Sequence, residues 1–163
     1  METGVRMMNE NRELKIDGIV DVGNKPAVRR IAKATGTIFL KEETINAIKN
    51  NKISKGDVLE ASTIAAIQAV KETPRIVPHC HIVLIEGCSV DWNFEERNLR
   101  CSVEVKANYR TGVEMEALVG VSAGLLCVFD MVKSLEKDLS GQYPEAQINN
   151  IRVLKKIKEK SES

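Results

Sequence analysis

Two alternating runs constrain this chain more than any other feature. Between Cys88 and Phe94, apolar Cys88, Val90, Trp92 and Phe94 alternate with Ser89, Asp91 and Asn93. Leu99 to Tyr109 repeats the pattern, with Leu99, Cys101, Val103, Val105, Ala107 and Tyr109 set against Arg100, Ser102, Glu104, Lys106 and Asn108. Successive side chains point to opposite faces of a strand, so each run has one face to bury and one to wet. Glu95-Glu96-Arg97-Asn98 is all that separates them, which predicts an antiparallel hairpin with one buried face. The rest of the chain has to supply what covers that face.

Thr111-Gly112-Val113-Glu114 has the spacing of a capping box and predicts a helix from about Val113 to beyond Lys133. Such a helix is roughly 30–35 Å long at a rise of about 1.5 Å per residue. Val58, Leu59, Ala61, Ile64, Ala65, Ile67 and Ala69 mark an earlier helix, capped by Ser54 with Asp57 three residues on and stopped before Pro74. Glu42–Asn50 reads as a short helix. Ile19–Val22 and Arg29–Leu40 read as extended, interrupted by Gly23–Pro26 and by Gly36. Gln147–Leu154 closes the chain as a strand after a surface loop at Ser140–Ala146. Strand, helix, strand, strand, helix, strand is the split β-α-β order of an α+β, ferredoxin-like fold, an antiparallel sheet with helices packed on one face.

The 163 residues suit one domain, placed over 18–156, with 1–17 as a disordered leader and 157–163 as a charged tail. Twenty-four Lys and Arg against 23 Asp and Glu leave a net charge of +1, which argues against nucleic acid or a membrane surface as partner. Aromatics make up 4%, too few for a base-stacking surface. Cys80, Cys88, Cys101 and Cys127 show no C-x-x-C spacing, and no signal peptide precedes them, so free thiols in the cytoplasm are expected. Ala117–Phe129 is too short to span a bilayer, yet it is apolar or small almost all round. With Gly120 and Gly124 one turn apart, this predicts a second subunit over its outer face.

Candidate chemistry falls in four places. His79-Cys80-His81 puts both histidines of the chain two residues apart, so in extended backbone they share a cavity; the alternative is a turn with one ring buried and one exposed. Metal ligation there lacks a second cluster of ligands. Glu114-Met115-Glu116 opens the long helix, where Glu114 has a sufficient structural role as a cap. Asp130 and Lys133 share a helix face; a surface salt bridge stands against an acid–base pair at a pocket rim. Lys55-Gly56-Asp57 at a helix start, with Lys25 and Arg29-Arg30 elsewhere, offers basic groups that are as often simply solvated.

Together these segments carry a resemblance. Val20-Asp-Val-Gly-Asn-Lys-Pro, Lys55-Gly-Asp-Val, Cys80-His81, Thr111-Gly-Val-Glu-Met-Glu-Ala-Leu and Asp130-Met-Val-Lys133 stand in the order and spacing of the cyclic pyranopterin monophosphate synthases. The chain resembles that family from about Val20 to Lys155. The resemblance implies a lyase of molybdenum cofactor biosynthesis that converts 3′,8-cyclo-7,8-dihydroguanosine 5′-triphosphate to cyclic pyranopterin monophosphate and pyrophosphate. It implies a homo-oligomer, a hexamer built as a trimer of dimers, with sites between subunits. By position, Asp130, Lys55 and Lys133 match the family's catalytic aspartate and lysines. His79, Cys80, His81, Met115 and Glu116 match its substrate-binding segments, and Glu114, Lys25 and Arg30 match pocket-lining polar residues. No cofactor is required, and magnesium is the one ion the triphosphate could bring. His79 and Ile82 stand where the family has leucine and proline, and Lys155-Lys156-Ile157-Lys158 replaces a glycine- and lysine-rich tail of bacterial members.

Overall fold

The computed structural model describes residues 18–159, so the leader at 1–17 and the tail from 160 lie outside the described residues. The elements run β1 (Val28–Phe39), α1 (Glu42–Lys49), α2 (Val58–Lys71), α3 (Thr73–Ile76), β2 (Gly87–Glu95), β3 (Asn98–Tyr109), α4 (Glu114–Glu136) and β4 (Gln147–Lys158). The strands form one antiparallel sheet in the order β2-β3-β1-β4. This is the ferredoxin-like split β-α-β arrangement. The expected hairpin forms, with Phe94 opposite Leu99 and Glu95 opposite Asn98, and a loop reduced to Glu96-Arg97. On β3, Leu99, Cys101, Val103, Val105 and Ala107 are all fully buried. They meet Val121, Leu125, Val128 and Val132 of α4, and Ala66 and Val70 of α2, in one core.

Four local expectations give way. Ile19–Val22 joins no strand; it belongs to a strap that crosses the end of the sheet. Gly36 does not interrupt β1: a Cβ there would lie 2.9 Å from Ile151, Leu125 and Val121, so the missing side chain is what lets α4 and β4 close on the strand. The cap of α2 is Asp57, whose carboxylate accepts from the Glu60 amide at 2.9 Å, because the Ser54–Gly56 turn, with Gly56 at φ 108°, delays the helix to Val58. The capping box at Thr111 does not form, since α4 starts at Glu114 with Val113 as an uncapped N-cap.

Gly120 and Gly124 do admit close neighbours, but within the subunit. A Cβ on Gly120 would lie 2.7 Å from Val70, and one on Gly124 would touch Ala66, Trp92 and Cys101. The two glycines therefore seat α2 and the sheet and say nothing about a partner. Helix α4 is long and apolar enough to cross a bilayer, yet half of its most apolar window is buried inside the domain. Among the apolar side chains left exposed are Met115, Leu126 and Leu135 on α4, Ile64 on α2, and Ile151, Val153 and Leu154 on edge strand β4. Strand β4 also takes in Ile157 and Lys158, assigned above to the tail, because Ile31 and Arg30 continue the ladder opposite them.

Candidate active site at the two ends of helix α4

Near the C-terminal end of α4, Asp130 stands between two lysines. Lys133 Nζ donates to its Oδ1 at 2.7 Å across one helical turn. Lys55 Nζ donates to Oδ2 at 2.7 Å and to the Asp130 carbonyl at 2.9 Å, reaching over from the turn before α2. All three side chains are about half exposed and open to an incoming ligand. The hydrogen bond from Lys133, seconded by that from Lys55, holds the Asp130 carboxyl down at about 2. Asp130 in turn raises Lys133 above the ordinary lysine value. The cluster is thus a fixed carboxylate with firmly protonated Lys133 beside it, and Asp130, not a neighbouring ammonium, sets the direction in which Lys133 moves.

Near the N-terminal end of α4 lies a cavity of about 500 Å³. His79, Cys80 and His81 reach it from the segment after α3, Glu114, Met115 and Glu116 from the first turn of α4, and Lys25 from the strap. Both imidazoles line it, but from a turn and not from extended backbone: the Cys80 amide donates to the Val77 carbonyl at 3.0 Å, which leaves His79 exposed and His81 half-buried, close to the alternative of a turn with one ring covered and one open. His81 Nε2 donates to the Val20 carbonyl at 2.7 Å. Glu116 is almost wholly buried, and burial, with Glu114 adding to it, pushes its carboxyl up while His81 opposes the shift. Burial, helped by Glu116, also raises Cys80, which keeps it a thiol and not an attacking thiolate. No group of three His, Cys, Asp or Glu poised for a metal ion occurs among the described residues.

The two clusters stay apart within one subunit. Glu116 and Asp130 are separated by about 21 Å along the helix, at a rise of about 1.5 Å per residue. Arg30 lines neither. It is buried, and its Nε and Nη2 donate to the Tyr109 and Arg110 carbonyls at 3.3 and 3.2 Å. Of the C-terminal lysines Lys155, Lys156 and Lys158, it is Lys156 that forms an ion pair with Glu114 at the cavity edge. Lys156 lies opposite Ala32 on the helix-covered face, a placement that follows once β4 is carried past Leu154.

A family model described as the MoaC family matches residues 19–159. The chain belongs to the MoaC family. Among similar proteins, one from Methanothermobacter thermautotrophicus named "Probable cyclic pyranopterin monophosphate synthase accessory protein" is 50% identical over 157 residues, 96% of this chain and 91% of that protein. One from Pyrococcus horikoshii named "Probable cyclic pyranopterin monophosphate synthase" is 49% identical over 140 residues, 86% of this chain and 88% of its own length. Its counterpart in Pyrococcus furiosus, with the same name, is 51% identical over 141 residues, covering 86% and 90%. MoaC relatives therefore span almost the whole domain, both clusters included, and the enzyme family indicated by the motifs is the one to which the chain belongs.

Proposed function

We propose that this chain is a cyclic pyranopterin monophosphate synthase, converting 3′,8-cyclo-7,8-dihydroguanosine 5′-triphosphate to cyclic pyranopterin monophosphate with release of pyrophosphate. Asp130 clamped between Lys55 and Lys133 is the observation that carries the reading. A reaction that opens and rebuilds a ring and then closes a cyclic phosphate needs proton transfers and neutralisation of phosphate charge. Asp130 keeps both ammonium groups in place. Lys133, kept charged by that carboxylate, serves as countercharge to the leaving pyrophosphate, and Lys55 on the other carboxylate oxygen serves in proton transfer. Glu116, buried at the cavity with its carboxyl pushed up by that burial, is the group suited to exchange a proton there. His79, Cys80, His81 and Met115 shape the cavity for the base-derived part, and Lys25 and Lys156 offer charge at its rim.

The complete site is assigned to the junction of two subunits, since one subunit holds its two clusters at opposite ends of α4. A hexamer built as a trimer of dimers fits that need, and the apolar Ile64, Leu126, Leu135 and Val153 are available to be covered. Free Cys80, Cys88, Cys101 and Cys127 agree with a cytoplasmic setting. Any magnesium would come with the triphosphate.

Pyrophosphate release from the cyclic substrate tests the reading. Lys55→Ala, Asp130→Ala and Lys133→Ala are each expected to lower turnover by about 100-fold or more, the usual weight of a general acid or base. Light scattering is expected to show the assembly intact in each. Near-normal turnover in all three, or substrate binding without pyrophosphate in the unaltered protein, would overturn it.

A further inference from the structure

The strap before β1 has neither helix nor ladder to hold it, yet it carries Val20, Val22 and Lys25 to the cavity. Internally it is tied by the Gly23 amide to Asp21 Oδ1 at 2.8 Å and by the Lys25 amide to the Val22 carbonyl at 3.0 Å. From outside, His81 takes the Val20 carbonyl, and Arg110 Nη1 donates to the Gly23 carbonyl at 2.9 Å. Arg110 follows β3 directly and precedes Thr111-Gly112 of the cavity lining, and its own carbonyl accepts from buried Arg30. The bonds thus run from a buried guanidinium in β1, through the backbone and side chain of Arg110, to the turn that presents Lys25.

We propose that Arg110 is a positioning residue that locks the strap so that Lys25 meets an anionic substrate, with Arg30 acting through it. The inference rests on the cavity being the substrate site proposed above. It also accounts for Arg30, which does not line this cavity yet stands at a position matched to the pocket by the family resemblance. Arg110 touches the strap through a carbonyl and leaves the reacting atoms alone. Its loss therefore loosens binding more than chemistry, raising KM and leaving kcat nearly as it was.

Arg110→Ala, Lys25→Ala, the double variant and Arg110→Lys, made in the full chain, test this. Arg110→Ala is expected to raise KM for the cyclic triphosphate about tenfold, the scale of a lost charged hydrogen bond, with kcat within about twofold. Amide hydrogen exchange at Gly23 and Lys25 is expected to quicken, while the core strands keep their protection. In the double variant, KM should match that of Lys25→Ala, because a lysine already removed cannot be misplaced. Arg110→Lys should recover part of the loss through one remaining donor. An unchanged KM in Arg110→Ala, or a double variant in which the two losses multiply, would sink the proposal. If the unaltered protein releases no pyrophosphate, the functional reading fails separately. Exchange at Gly23 and Lys25 then decides the tether alone: faster exchange upholds it, and unchanged exchange ends it.

Discussion

At the residue scale, the charge states of three side chains set the pH behaviour. Asp130 titrates at about 2 against an ordinary 3.8, so its pairs with Lys55 and Lys133 are complete above 3.8 and are lost only as pH falls through about 2. Lys133 is raised above 10.5, so its contribution is complete below that value and fades as pH rises through its own higher one. Neither limit falls near neutrality. Glu116 is different: burial raises it above 4.5, so the fold favours its protonated form and the residue becomes a base only above that value. The acid limb of kcat/KM should therefore lie above 4.5 and belong to Glu116. Glu116→Gln is expected to abolish that limb and to lower kcat by about 100-fold. A limb retained in Glu116→Gln, followed by initial rates across pH, would move the base elsewhere.

At the element scale, α4 owes its placement to small residues along its length and to a reciprocal clasp at its end. Glu136 is fully buried, and its Oε1 accepts from the Lys41 amide at 3.1 Å, capping the start of α1 with a side chain from another helix. Lys41 Nζ returns the contact by donating to the Leu135 and Lys137 carbonyls, which the end of α4 leaves free. Glu136→Ala should cost about 1 kcal/mol, the scale of a lost hydrogen bond at a half-buried helix start, read as a lower urea midpoint. Because Glu136 lies one turn beyond Lys133, the variant should also weaken the lysine clamp. Patterning made α4 and the β2–β3 hairpin legible, since both bury a whole face. Caps were not legible: the capping-box spacing at Thr111 competes with the ion pair that draws Glu114 to Lys156, 42 residues away in the chain by their numbers.

At the scale of the whole molecule, one feature organises the rest: a long helix carries one cluster of charged and polar side chains at each end. If each site joins the Asp130 end of one subunit to the Glu116 end of another, two separately inactive variants should complement. Mixing unfolded Asp130→Ala and Glu116→Gln chains and refolding them together should restore about a quarter of normal turnover, the statistical share of intact sites in a two-fold dimer. No recovery, with mixed assemblies verified by mass spectrometry, would place the whole site inside one subunit.

The period of each element and the set of chemical groups are legible from chain order, because strand alternation, helix amphipathicity and motif spacing are properties of neighbouring residues. Tertiary structure alone decided which distant groups meet. Lys55 reaches Asp130 across 75 positions, and Arg110 reaches Gly23 across 87. Gly36, locally a strand breaker, becomes the place where helix and edge strand close on β1. The physical reason is the same throughout: hydrogen bonds and packing act over a few ångströms of space, and only the folded chain says what lies within them.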